Sequence, residues 1–110
     1  MNWHKLEKID QLVDIDVASH DQPVLIFKHS TRCSISSAAL SRLERSWNEA
    51  EQNILPYYLD LLQFRNISNA LAEHYKVEHQ SPQVLLVKNG KCIYHESHMG
   101  IAYDELLSKI

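Results

Sequence analysis

The sequence predicts a single α/β domain whose mixed sheet of four to five strands carries helices on both faces. Three observations support this class. Short apolar runs typical of strands alternate along the chain with longer stretches of helical periodicity. Two early strands separated by a helix should run parallel with a right-handed crossover. The pair Asn89-Gly90 lies between two later apolar runs and predicts an antiparallel hairpin, which makes the sheet mixed.

Size and composition indicate one ordinary domain over residues 1–110. The chain is 45% hydrophobic and 23% charged, and its length allows one core. A net charge of -3 argues against a nucleic-acid partner, and no apolar run approaches the roughly 20 residues that span a membrane. The charged first ten residues do not resemble a signal peptide, and two cysteines do not make a disulfide framework. We therefore expect a cytoplasmic protein without a membrane partner.

The chain should open with a helix and a buried strand. Residues 5–18 carry apolar side chains at helical spacing, which predicts an amphipathic helix with the stripe Leu6, Ile9, Leu12, Val13 and Val17. Pro23 then precedes a strand over about residues 24–29, which begins with four consecutive apolar residues.

A second helix and a second strand should follow. The helix is expected over about residues 34–51, with the buried stripe Ala39, Leu40, Leu43 and Trp47. Residues 54–60 read as a strand. Pro56 favours an edge or a strand start there, because proline cannot donate a hydrogen bond to the ladder.

The second half of the chain should add a helix, a hairpin and a closing helix. Residues 65–75 predict a helix with Ile67, Ala70, Leu71 and either His74 or Tyr75 on one face. Val84 to Val87 and Cys92 to His95 form the arms of the hairpin, and residues 102–110 form the last helix.

Cys33 lies where the first buried strand turns into the second helix. The first N–H groups of a helix lack partners, and the helix dipole favours negative charge. A thiol at such a position becomes a thiolate more easily, and the thiolate is the nucleophile. A cysteine that only packs in a core is the alternative, but the polar neighbours Ser30, Thr31, Arg32 and Ser34 do not fit a core. We therefore predict a nucleophilic cysteine.

Two further positions bear on this chemistry. Ser36 follows Cys33 by three residues, so its hydroxyl can lie beside the thiolate and donate to it, while Arg32 adds a positive charge. The pair Ser81-Pro82 comes just before an internal strand. Its proline is either in the cis form or an ordinary loop proline, and position alone leaves both open.

These motifs together resemble the thioredoxin fold. The segment SPQVLLVKNG (residues 81–90), with YKV at residues 75–77 before it, is similar to the cis-proline strand and hairpin of that superfamily. The segment FKHSTRC (residues 27–33), followed by Ile35 and Ser36, resembles the YtxJ-type monothiol bacilliredoxins of the bacillithiol system. The resemblance spans nearly the whole chain. It departs from the family at Ser34, where proline is common; monothiol glutaredoxins carry glycine there.

The resemblance implies a thioredoxin-like fold and a thiol-disulfide oxidoreductase. Cys33 would remove bacillithiol from S-thiolated client proteins, with bacillithiol as the thiol co-substrate and no bound cofactor or metal. The implied catalytic residues are Cys33 and Ser36. The implied substrate-binding residues are Thr31, Arg32, Ser34, Ser81 and Pro82.

Two other functions remain open at this point. The domain could be a non-catalytic interaction module in which Cys33 is incidental, or a redox sensor that is thiolated without turnover. Cys92 is too far along the hairpin to pair with Cys33, because about 20 Å of strand separates it from Pro82. His29 either helps to hold the thiolate or has a surface or capping role. His98 could contact a substrate, and no histidine spacing indicates a zinc site.

Overall fold

The computed structural model describes all residues 1–110 and contains one five-stranded mixed sheet with helices on both faces. The strand order is β1-β3-β2-β4-β5. β2 runs parallel to β3 and β4 runs antiparallel to β5, as predicted, and β2 also pairs antiparallel with β4. The elements are β1 (His4–Lys5), α1 (Gln11–Ala18), β2 (Val24–His29), α2 (Ser34–Ser46), β3 (Leu55–Asp60), α3 (Arg65–Tyr75), β4 (Gln83–Lys88), β5 (Lys91–Ser97), a 3-10 turn (His98–Gly100) and α4 (Tyr103–Ser108).

The central strand β2 is buried on both faces and divides the interior into two hydrophobic cores. Val24 and Ile26 face the core that α1 and α3 cover, whereas Leu25 and Phe27 face the core that α2 and α4 cover. Successive side chains of a strand point to opposite faces. The last two residues of β2, Lys28 and His29, therefore point into different layers of the domain.

The N-terminal segment differs from the predicted helix over residues 5–18. His4 and Lys5 form β1, which pairs in parallel with β3, and Leu6 N–H continues this pairing by donating to the Tyr58 carbonyl at 2.8 Å. The Gln11 side chain then accepts hydrogen bonds from two backbone N–H groups of the preceding turn. Pairing with the sheet thus satisfies backbone groups that the predicted helix would have used, and α1 begins only at Gln11.

The buried face of α1 was also predicted wrongly in part. Leu12 and Ile15 are buried, but Val13 and Val17 are each 64% exposed, and Ile9 is exposed as well. The sequence offers two apolar stripes at helical spacing, and the helix can bury only one of them against the sheet.

α2 ends at Ser46, five residues earlier than predicted. The cause lies in the chain after Trp47, where Asn48 accepts a hydrogen bond from the Ala50 N–H through its side chain. Asparagine makes such local turns in competition with helical bonds. The phenol of Tyr103 in α4 also donates to the Asn48 carbonyl, which fixes this turn.

β3 is an internal strand, because it pairs with both β1 and β2, and Pro56 is its second residue. Of the two predicted positions for Pro56, the strand start is therefore the observed one and the edge strand is wrong. Leu55 N–H donates to the Pro23 carbonyl before β2, and successive N–H groups alternate in direction. The Pro56 nitrogen therefore faces β1. β1 pairs only with Tyr57 and Tyr58, so no ladder bond is lost.

No helix of the structure combines the length and the apolar character needed to cross a membrane.

Candidate functional site

Cys33 is the N-cap residue of α2, directly after the turn that leaves β2. Its own N–H donates to the Ser30 carbonyl at 3.1 Å, and its carbonyl accepts the Ser37 N–H at 3.0 Å. These two bonds fix the backbone on both sides of the thiol. The side chain is partly exposed, and its neighbours Thr31, Arg32 and Ser34 are exposed around it. The predicted position at the start of the helix is therefore the observed one.

Ser36 is completely buried beneath this turn. Its Oγ accepts a hydrogen bond from the Ser30 N–H at 3.0 Å and is hydrogen bonded to His29 Nδ1 at 2.6 Å. The hydroxyl carries a single hydrogen. It can donate to a Cys33 thiolate only when His29 Nδ1 carries a hydrogen and acts as the donor to Ser36. Donation from Ser36 to the thiolate stays a prediction. It depends on whether the hydrogen of the His29 ring is on Nδ1.

His29 lies in the interior between aromatic side chains, so its predicted surface or capping role is wrong. Its ring centroid is 6.0 Å from that of Phe27 and 5.6 Å from that of Tyr58. Burial lowers the pKa of His29, while the carboxylates of Asp60 and Glu44 oppose that shift. The imidazole is therefore neutral near pH 7, with one nitrogen protonated and the other free to accept.

The Ser81-Pro82 segment lies at the same end of the sheet as Cys33. Val84 pairs with Phe27 and Gln83 pairs with Lys28, so the register brings Pro82 beside His29, just before the turn that carries Cys33. The Ser81–Pro82 peptide bond is cis. The Pro82 carbonyl accepts the His98 N–H at 3.0 Å, which joins the 3-10 turn to this site. Ser81 Oγ is buried without a hydrogen-bond partner.

Behind this segment lies a polar cluster that the sequence analysis did not identify. Lys28 is only 1% exposed, and its Nζ lies 2.7 Å from His79 Nδ1 and donates to Gln83 Oε1 at 3.1 Å. Burial lowers the pKa of Lys28 to about 8. The pKa of His79 is also lowered, first by burial and then by the positive charges of Lys28 and Arg65.

A sequence signal for this cluster did exist. Lys28 falls on the same face as Val24 and Ile26 in a strand with no polar face, so its ammonium had to be buried. A buried ammonium requires polar partners. The two that it has, His79 and Gln83, come more than fifty residues later, and no local pattern reveals that pairing.

Cys92 lies at the far end of the hairpin from this site. It pairs with Val87 across the two strands, whereas the end of β4 nearest Pro82 pairs Gln83 with Ser97. Its thiol packs against the core beneath α1 and α3, and burial raises its pKa. This agrees with the expectation that Cys92 acts as a small hydrophobic residue.

Comparison with solved structures agrees with this architecture. One protein, described as a proposed oxidoreductase with a thioredoxin fold, is 30% identical and superimposes with a TM-score of 0.83, over 96% of this chain and 90% of its own. Thioredoxin from Fasciola hepatica (15% identity, TM-score 0.71, covering 96% and 93%) and thioredoxin f from spinach chloroplast (18%, 0.72, covering 97% and 82%) share the fold. The thioredoxin-like fold predicted from the sequence is thereby confirmed.

A family comparison covers almost the entire chain. The sequence profile described as monothiol bacilliredoxin BrxC matches residues 4–106, which include Cys33, Ser36 and the Ser81-Pro82 segment. Together with the 30% identical relative, this match supports a thiol redox function. The chain belongs to the monothiol bacilliredoxin BrxC family.

Proposed function

We propose that this protein removes bacillithiol, or a similar small thiol, from mixed disulfides on proteins, with Cys33 as the nucleophile. The observation that carries the proposal is the site around that thiol. Cys33 is partly exposed at the N-terminus of α2, and a buried serine occupies the position three residues later. The first N–H groups of a helix lack intrahelical partners, so they are available as donors to an anionic sulfur at the N-cap.

In the first step, the Cys33 thiolate attacks the bacillithiol sulfur of the mixed disulfide. A disulfide forms between Cys33 and bacillithiol, the original sulfur–sulfur bond breaks, and the client cysteine leaves as a thiolate that takes a proton from water. Attack on the bacillithiol sulfur frees the client, whereas attack on the client sulfur would tether it to this protein.

In the second step, a thiol other than a cysteine of this chain restores Cys33. Position 36 is serine, and Cys92 lies at the far end of the hairpin, so no internal disulfide can release the adduct. A second bacillithiol thiolate attacks the bacillithiol sulfur on Cys33. This step yields bacillithiol disulfide and the free Cys33 thiolate. A free thiol at Cys33 also requires a reducing compartment, which makes the cytoplasm the expected place of action.

The surface around Cys33 suits a protein substrate. None of the four concavities of the molecule is lined by Cys33, and Thr31, Arg32 and Ser34 surround it in the open. A mixed disulfide on a folded client can approach such a surface without entering a cleft. Arg32 would attract an anionic thiol ligand by charge.

The Ser81-Pro82 segment supplies the second half of the proposed substrate site. The Ser81 backbone is the proposed hydrogen-bonding partner of the incoming disulfide segment.

The test is intact-mass spectrometry of the protein after it has been mixed with a bacillithiolated and, separately, a glutathionylated test protein. The wild-type chain should gain one bacillithiol adduct while the test protein loses its own. Cys33→Ser should gain none. Cys92→Ser is the matched control, and it should react like the wild type because its thiol packs in the core.

Three other outcomes would contradict parts of the proposal. If the protein removed glutathione but not bacillithiol from the test protein, the proposed small-thiol substrate would be glutathione and not bacillithiol. An adduct on Cys33 without release of the test protein would indicate a redox sensor. The absence of any adduct with either thiol would favour a non-catalytic interaction domain.

A further inference from the structure

The buried cluster of Lys28, His79 and Gln83 contacts the loop that leads into Ser81-Pro82. The Gln83 side chain reaches the loop backbone at two points: its Nε2 donates to the Glu78 carbonyl at 3.0 Å, and its Oε1 accepts the Gln80 N–H at 3.4 Å. Gln83 is 1% exposed. Its amide therefore holds the loop at residues 78 and 80 from inside the domain.

Lys28 determines which way the Gln83 amide faces. An ammonium group has donors and no acceptor, so it must meet the amide oxygen and not the amide nitrogen. With Oε1 turned toward Lys28, Nε2 is turned toward the Glu78 carbonyl. If the amide were reversed, the ammonium would face an N–H group and both bonds to the loop would be lost.

Lys28 also holds the loop directly through His79. The distance of 2.7 Å between Lys28 Nζ and His79 Nδ1 requires that Nδ1 accept, which fixes the hydrogen of the neutral ring on Nε2. Ser68 Oγ in α3 lies 3.3 Å from the same nitrogen. Side chains from β2 and α3 thus both contact the loop at the Nδ1 atom of His79.

Packing alone does not explain a lysine at this position. No carboxylate pairs with Lys28, since the one ion pair of the structure joins His74 and Asp16. Burial alone shifts its pKa downward, which means that the folded state disfavours the charged form. An apolar side chain, like those of Val24 and Ile26 on the same face, would pack there without this cost.

We propose that Lys28 is a positioning residue for the Ser81-Pro82 segment, which it holds through Gln83 and His79. Lys28 touches neither the thiol nor the substrate; it acts on the loop residues 78–80 that deliver Ser81 to the site. This inference rests on the proposed function for its kinetic consequence, but its structural consequence is independent of that function.

The kinetic test compares Lys28→Met with Lys88→Met, a control at the exposed opposite end of β4. Lys28→Met should lower kcat/KM for the mixed disulfide by about 10- to 100-fold, the cost of a misplaced binding group. Most of this loss should be a rise in KM. The rate of Cys33 alkylation by iodoacetamide should stay within twofold of the wild-type rate, because that small reagent does not use the loop.

A double-mutant cycle tests whether Lys28 acts through Gln83. If it does, the variant that combines Lys28→Met with Gln83→Met should be about as slow as the slower single variant, because coupled residues are not additive. Gln83→Met alone also breaks the same contact from its other end, so it provides the test if Lys28→Met fails to fold.

Amide hydrogen exchange at Gln80, whose N–H donates to Gln83 Oε1, measures the loop without any substrate. Exchange there should be faster in Lys28→Met than in Lys88→Met. Unchanged exchange, a kcat/KM within twofold of wild type, or an equal fall in alkylation would each overturn the inference. If the wild-type protein releases neither thiol, the proposed function fails, and hydrogen exchange alone then decides whether Lys28 holds the loop.

Discussion

The free energy of unfolding of the wild-type protein should rise between about pH 7 and about pH 9, and replacing Lys28 by methionine should remove this rise. The pKa of Lys28 is lowered from 10.5 to about 8 by burial. Over this range the unfolded chain binds more protons than the folded chain, so the free energy of unfolding increases with pH. The penalty for the buried charge is complete below about pH 8 and disappears as the pH approaches 10.5.

The size of the effect follows from these two pKa values. Proton linkage gives a rise of about 1.3 kcal/mol in the free energy of unfolding between about pH 7 and about pH 9. The partners that face Lys28 do not obscure it. Gln83 and Ser68 do not titrate, and the pKa of His79 is lowered below its ordinary 6.5. The buried tyrosines and Cys92, whose pKa values are raised by burial, oppose this rise toward pH 9, and they do so equally in each variant.

Urea unfolding at several pH values in this range is the appropriate assay. The wild-type chain and Lys88→Met should show the rise, and Lys28→Met should lack it. The comparison concerns the slope with pH and not the stability at one pH, because the substitution also removes hydrogen bonds to His79 and Gln83. Parallel slopes for Lys28→Met and Lys88→Met would refute the assignment of Lys28 as a buried cation with a depressed pKa.

Two predictions concern Ser36. Ser36→Ala should destabilise the domain by about 2–4 kcal/mol, because two partners of a buried hydroxyl lose their bond. Ser37→Ala, in the same turn but exposed, should change the free energy of unfolding by less than about 0.5 kcal/mol. Equal losses in urea unfolding would contradict the buried role of Ser36. Ser36→Cys should accumulate an internal disulfide with Cys33 under oxidation, visible by mass after alkylation of the free thiols; two free thiols would argue against the geometry of this turn.

The sequence predicted the elements that depend on local pattern. The apolar run that begins at Val24, together with the polar break that follows it, was enough to locate β2 and to put Cys33 at the start of α2. The Asn89-Gly90 pair located the hairpin, and both of its residues have the positive φ that such a turn requires. β1 was missed, since a two-residue strand carries no periodicity and exists only through pairing with β3.

The side-chain hydrogen bonds of the site could not be predicted from the sequence, for a different reason. The Cys-x-x-Ser spacing indicated that Ser36 lies near the thiol. It did not show that His29, seven residues before Ser36, is hydrogen bonded to the Ser36 hydroxyl. Lys28 and His79 are 51 residues apart, and their contact depends on the register between β2 and β4. Such contacts follow from the tertiary fold, which local spacing does not encode.

The end of β2 connects the two halves of the proposed site. Lys28 and His29 are adjacent, and because a strand alternates its side chains, one enters each layer of the domain. His29 meets Ser36 beneath the turn that carries Cys33, and Lys28 meets Gln83 and His79 behind the loop that carries Ser81. A shift of this strand by one residue would exchange the two side chains and disconnect both networks at once. The positions of the nucleophile and of the proposed substrate segment are therefore set by a single register, that of β2 against β4.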